Sequence, residues 1–218
     1  MTSAQERKAH DRQTRRRSIQ SAARTVFAER GYAGASIEQI ARASQLSVGA
    51  IYLYFRSKED LYASLIEDAL TVFDVEFTQM RSSTEVALRL PKAWAALLSW
   101  ASRDAEGPRV LRLLAQPNVR AHLSDDVAAI AATQLDKLQQ HFAAVIADGN
   151  EAGIYRDAQP AIFATLVWSL FLGVLDSVQI EQNLAQGSAD LLTERGSQAL
   201  LALEAALGLP RAAARVVA

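Results

Sequence analysis

Cysteine is absent from all 218 residues. That excludes disulfides, cysteine-ligated zinc and thiol nucleophiles, and a reducing cytoplasmic setting is the expected one. Also nearly missing is the strand signature, β-branched residues alternating with polar ones between Gly or Asn turns; Ala, Leu, Gln, Glu and Arg dominate, and an all-α fold is expected. The longest weakly polar run, AIFATLVWSLFLGVL at 161–175, is shorter than the ~20 residues a bilayer needs. It reads as a buried or subunit-contacting helix, and no membrane partner is expected. The opening stretch MTSAQERKAHDRQTRRRSIQ has no apolar segment of the secretory kind. His10, His122 and His141 show no H-E-x-x-H spacing, and neither G-x-S-x-G nor a phosphate loop occurs. No catalytic residue, metal or cofactor is therefore expected.

What is present is an uneven charge distribution. The chain carries 23 Lys+Arg and 24 Asp+Glu, yet residues 1–58 hold 11 basic and 4 acidic side chains while residues 59–218 hold 12 and 20. Such polarity points to an N-terminal segment that meets a polyanion and a larger segment that does not. A solvated basic tail would give the same counts, so the pattern at residues 36–58 has to decide between them.

Ile19, Ala23, Val26 and Phe27 follow the spacing of one buried helix face, and Gly31 ends that helix. Ser36 opens a second helix with Gln39 at the capping-box position, and Ile37, Ile40 and Ala41 give it an apolar face. After a break at Ser44-Gln45, Ser47 caps a short third helix over Val48 to Phe55. Ser57 caps a fourth, with Asp60 at the capping-box position. Longer helices are expected at 85–103, 108–116 between two prolines, 125–149, 160–184 and 189–207.

Helix, short break and second short helix make a helix-turn-helix, whose second helix can lie in the major groove of DNA. Ile51 and Phe55 anchor that helix inward, leaving Ser47, Val48, Gly49, Ala50 and Tyr52 near its N-terminal end and outer face. Small residues let the backbone approach a duplex, and helix N-termini at Ser36 and Lys58 favour anions.

The stretch RRRSIQSAARTVFAERGYAGASIEQIARASQLSVGAIYLYFRSKEDLYASLI resembles the DNA-binding domain of TetR-family transcriptional regulators, with IEQIARAS as second helix, LSVGAIYLYF as recognition helix and SKEDL opening the fourth. The resemblance implies a flexible basic tail at 1–12, a DNA-binding domain at 13–72, a helical regulatory domain at 73–210 and a frayed tail at 211–218. It implies that Ser36 and Lys58 bind phosphates, that Ser47, Val48, Gly49, Ala50 and Tyr52 lie in or beside the major groove, and that Tyr54 donates its hydroxyl to the DNA backbone. Arg15, Arg16 and Arg17, with Lys8 and Arg12, precede the first helix and would reach an adjacent minor groove or the backbone, or else form a solvated helix start that only adds non-specific affinity. Two positions depart from the family pattern. Gln45 stands where many relatives have a turn glycine, a cost of up to ~1 kcal/mol if positive φ is required there. Val48 replaces a frequent lysine, which leaves Gln45, Ser47 and Tyr52 as the main polar readers of bases.

Of the larger domain the resemblance implies a ligand pocket and dimerisation through the last two long helices. Phe163, Val167, Phe171, Val174 and Val178 on the first, with Leu192, Ala199 and Leu203 on the second, form apolar stripes suited to an isologous four-helix bundle, or else to an intrachain core. Phe73, Trp94, Leu97, Trp100, Phe142 and Trp168 are the candidate pocket lining, and a largely apolar effector is expected. Arg109, with Arg103, Arg112 and Arg120, forms a basic patch that would take an anionic ligand such as an acyl-coenzyme A, unless those arginines are salt-bridged. The expected protein is a homodimeric, ligand-released repressor on a near-palindromic double-stranded DNA operator. The rivals are a ligand-independent DNA-organising or protein-regulated member of the same fold, and a helical carrier or enzyme without DNA binding.

Overall fold

A computed structural model describes residues 4–104, 106–156, 158–184 and 190–208. Among these residues the chain is helical throughout and contains no strand. The 211–218 tail lies outside them. The chain divides into two compact units, one formed by residues 1–69 with 105–133 and the other by 70–104 with 134–218.

The first unit begins with α1 (Ala4–Gly34), which Gly31 interrupts at φ 66°. Residues 4–12, expected as a flexible tail, are instead the first turns of this helix. The three serine caps then act as their local chemistry predicts. Ser36 accepts the N–H of Gln39, and Gln39 accepts that of Ser36, at the start of α2 (Ile37–Ala43). Ser47 accepts from Ala50 N at the start of α3 (Val48–Tyr52), and Ser57 from Asp60 N at the start of α4 (Lys58–Ala63). Asp60 does not return the capping-box bond to Ser57. Its fully buried carboxylate accepts from Arg56 N at 2.8 Å and from the N–H and hydroxyl of Ser124, each at 2.8 Å.

Ile19, Phe27, Ile40, Ile51, Phe55 and Leu61 are at most 1% exposed and form the core of this unit. The helix expected at 108–116 is α7 (Glu106–Leu114), following α5 (Ile66–Ser83) and α6 (Val86–Arg103). It starts before Pro108 because the first-turn N–H groups of a helix have no intrahelical acceptor, so a proline there loses nothing. A 3-10 turn (Val119–His122) leads to α8 (Asp125–Glu151). The Tyr62 hydroxyl donates to buried Glu106 at 2.6 Å, holding α7 against α4.

The second unit packs α6 and the unit's parts of α5 and α8 with α9 (Pro160–Leu184) and α10 (Leu191–Ala206). Trp94 Nε1 donates to Gly196 O at 2.8 Å, and a Cβ at Gly196 would stand 2.3 Å from Leu98. A side chain at position 196 would have to push Leu98 aside. Two arginines, Arg81 and Arg89, share the carboxylate of Asp148 at 2.8 and 2.5 Å. The helix α9 outruns the apolar stretch at 161–175, and by length and composition alone it could cross a bilayer. Length, which from the sequence set this segment apart from a membrane span, therefore does not do so, and the helix is placed instead by its packing against α10.

Candidate functional site

The recognition helix is short because its ends are set by side chains. Ser47 starts it, and Ile51 and Phe55, 0% and 1% exposed, pin its inner face. Ser47 and Gly49 are exposed, Val48 and Ala50 half-buried, and Tyr52 is 52% exposed. A Cβ on Gly49 would meet no atom within 4 Å. The fold itself therefore does not require a glycine there, and its smallness matters only to something outside. Leu53, not singled out from the sequence, is the most exposed large apolar residue of this unit at 71%.

Gln45 occupies the left-handed region at φ 57°. Its N–H donates to Arg42 O at 3.1 Å while Leu46 N donates to Ala41 O at 2.8 Å. This pair of bonds is the Schellman ending of a helix, in which the left-handed residue is usually glycine. The glutamine side chain is exposed at the turn that leads into α3.

Ser36 caps α2, but its hydroxyl also bonds the exposed Glu38, and that bond is the main reason the Glu38 carboxyl lies below its ordinary range. Lys58 is partly committed inside the unit. Its Nζ donates to Tyr32 O at 2.9 Å and Ala35 O at 3.2 Å and lies 4.3 Å from the Tyr32 ring centre. An ammonium has three protons, so one remains for an outside acceptor. The Tyr32 hydroxyl in turn donates to Glu59 at 2.5 Å; burial, then this bond, pushes the phenol well above its ordinary range.

The arginine triplet separates by role. Arg15 and Arg17 are exposed. Arg16 pairs with Glu67 at 3.1 Å and lies 5.3 Å from the Phe55 ring, so the expectation that it reaches DNA is corrected: it is a strut beneath the recognition helix. Glu67 is 51 residues away in the chain, and no local pattern announces the pair. Tyr54 is half-buried with the Arg12 guanidinium 5.2 Å from its ring.

Residues 19–65 match the family described as bacterial regulatory proteins, tetR family. Those residues hold the end of α1 with α2, α3 and α4, so the reading head is of the tetR type. Over 161 residues the chain is 26% identical to the transcriptional repressor DhaR of Mycobacterium sp. (strain GP1), covering 72% of this chain and 79% of that one. With the transcriptional regulator HbdR of Aromatoleum sp. (strain CIB) it shares 38% over 94 residues, covering 42% and 41%. The fold is that of Bacillus subtilis FadR, solved with stearoyl-CoA, at a TM-score of 0.68 and 20% identity, covering 87% of this chain and 97% of that one.

The second unit gathers most of the aromatic residues singled out from the sequence. Phe73 meets Trp100 at 5.5 Å, Phe171 meets Trp94 and Trp100 at 6.2 Å and Trp168 at 5.7 Å, and Phe142 meets Phe77 at 5.1 Å. Leu97 is fully buried. Trp100 Nε1 is buried without a hydrogen-bond partner. Arg109 does not join this group; it belongs to the first unit, where it pairs with Glu106 at 2.5 Å. Arg120 likewise pairs with Asp125.

The expected dimer stripe is also corrected. Val167, Phe171, Val174 and Val178 of α9 and Ala199 and Leu203 of α10 are buried within the chain, with Phe163 and Leu192 half-buried. An apolar stripe on two adjacent helices satisfies itself first. The exposed apolar residues are others: Ile162, Leu166, Ile180 and Leu184 on α9 and Leu201 on α10.

Proposed function

We propose that the protein is a cytoplasmic homodimeric repressor that reads a near-palindromic operator and leaves it when an apolar effector binds its second unit. The observation that carries the reading is α3 itself, capped by Ser47, anchored by Ile51 and Phe55, and facing outward with Ser47, Gly49 and Tyr52. Val48 and Ala50 would meet thymine methyls, and Gln45 and Tyr52 would supply polar contacts to base edges. Ser36, Lys58 and Tyr54 would hold phosphates on either side.

Two reading heads must stand one helical turn, about 34 Å, apart, which a symmetric dimer achieves. The partner face we assign is Ile162, Leu166, Ile180 and Leu184, which recur along one side of α9 together with exposed Gly173. A Cβ on Gly173 would meet nothing within the chain, so a glycine there has value only against a partner. The effector site we assign is the aromatic group around Trp100, whose unpaired indole N–H would bond an acceptor oxygen on an otherwise apolar molecule. Because Arg109 and Arg120 already hold carboxylates, an anionic group is not needed to explain them. For a hundredfold loss of DNA affinity the effector must favour the non-binding geometry by roughly 3 kcal/mol.

Sequencing the DNA retained by the purified protein would supply the operator, and fluorescence anisotropy would then compare it with a scrambled duplex. Tighter binding to the operator is expected; equal affinity for both would sink sequence-specific regulation.

A further inference from the structure

We propose that Tyr155 and Glu204 form a buried site for one hydroxylic guest, a water molecule, which accepts a hydrogen bond from the phenol and donates one to the carboxylate. The site stands apart from the DNA-binding reading and does not depend on it. Tyr155 lies in the connection after α8, and Glu204 in the last turn of α10. The two residues are 5% and 4% exposed. The Tyr155 hydroxyl and Glu204 Oε1 are buried, and neither has a hydrogen-bond partner among the described residues. Local contacts bring them together. The Tyr155 ring lies on the backbone of α8 at Gly149, where a Cβ would stand 1.9 Å from it, so a side chain there would displace the ring. Arg156 N donates to Leu207 O at 3.2 Å, which ties the connection to α10 less than one turn beyond Glu204. Burial first, and then the Glu204 carboxylate, push the Tyr155 phenol up to about 12.

Each orphaned atom opposes folding by itself. Phenylalanine would fill the place of Tyr155 without a buried donor, and leucine that of Glu204 without a buried acceptor. One guest removes both penalties. The phenol keeps its proton at any ordinary pH, so the guest has to accept there. An ionised carboxylate only accepts, so the guest has to donate to Oε1. An O–H group does both at once. An ammonium or a bare cation would leave the phenol proton unmatched, and Arg81 and Arg89 already bring two positive charges to Asp148 beside Tyr155. Water is the smallest such group, and buried waters bridge polar atoms that the chain leaves unpaired. The hydroxyl of a bound small molecule would meet the same two atoms.

The test is a crystal structure of the full chain at a resolution that shows ordered water, with oxygen-17 relaxation of wild type, Y155F and E204Q in solution. Density for one isolated oxygen within hydrogen-bond reach of both side chains is expected. A larger molecule placing a hydroxyl there would keep the site and overturn water as its guest. Y155F should lower the count of long-lived internal waters by one, because a single bond does not hold a water in place. E204Q retains an acceptor oxygen and should leave the count unchanged. Should Y155F fail to fold, the crystal structure decides. A direct bond between Tyr155 and Glu204, a side chain of a second copy on either atom, or equal water counts in wild type and Y155F overturns the proposal. None of these measurements involves DNA, so their failure leaves the operator reading untouched.

Discussion

Lys58 Nζ donates to the carbonyl oxygen of Tyr32 at 2.9 Å while lying 4.3 Å from the centre of the same residue's ring. A single side chain thus caps the end of α1 and stands at the start of α4. Lys58→Met should destabilise the protein by about 1 kcal/mol, because two charged hydrogen bonds disappear. It should also flatten the salt dependence of operator binding by about 0.9 per protomer. Urea denaturation reads the first effect and salt-dependent anisotropy the second; loss of stability with an unchanged salt slope would make Lys58 a structural cap only.

Gln45 holds a left-handed conformation that glycine adopts freely. Gln45→Gly should raise stability by about 0.5 to 1 kcal/mol in urea denaturation. If its amide contributes to base readout, the same variant should lose discrimination between operator and single-base-changed duplexes. Higher stability with full discrimination would place the operator preference elsewhere.

Asp148 receives hydrogen bonds from Arg81 and then Arg89, which hold its carboxyl below the ordinary range against the opposing effect of burial. A depressed folded pKa gives stability that is complete above roughly pH 4 and disappears as pH falls through the folded value. Asp148→Asn should cost about 2 kcal/mol at neutral pH, since Arg89 is largely buried and loses its charged acceptor. The difference between wild type and variant should shrink on acidification below pH 4. A pH-independent gap in thermal unfolding would attribute the loss to packing.

Glu204 is the reverse case. Burial raises its carboxyl pKa, and its Oε1 has no hydrogen-bond partner. Stability from this position is greatest below the unfolded pKa, roughly 4, and declines as pH rises through the higher folded value. Glu204→Gln should therefore stabilise at pH 7, by about 1 kcal/mol, and should have little effect at pH 4. Destabilisation at pH 7 would mean that the ionised carboxylate has a partner, such as a second subunit.

Much of the reading head was legible in the chain because its determinants are local. A serine three residues before an unpaired N–H caps a helix whatever surrounds it, and Ser36, Ser47 and Ser57 all do so. The cost of Gln45 was legible for the same reason, since its φ follows from the helix ending at Ala41 to Leu46. The sequence by itself also determined the all-helical fold and the inward anchors Ile51 and Phe55.

Tertiary structure decided everything that depends on partners distant in sequence. Arg16 became a strut because Glu67 and Phe55 reach it, whereas Arg15, with the same chemistry, stayed free to face outward. Asp60 left its capping role for Ser124, 64 residues away. On α9 periodicity picked out the stripe of Phe163, Val167, Phe171, Val174 and Val178 but did not say whether a partner or the chain itself covers it. Packing within the chain, for Phe171 against Trp94 and Trp100 of α6, buried Val167 and Phe171 and left Ile162 and Leu166 exposed, because an apolar helix buries the face its neighbours can cover.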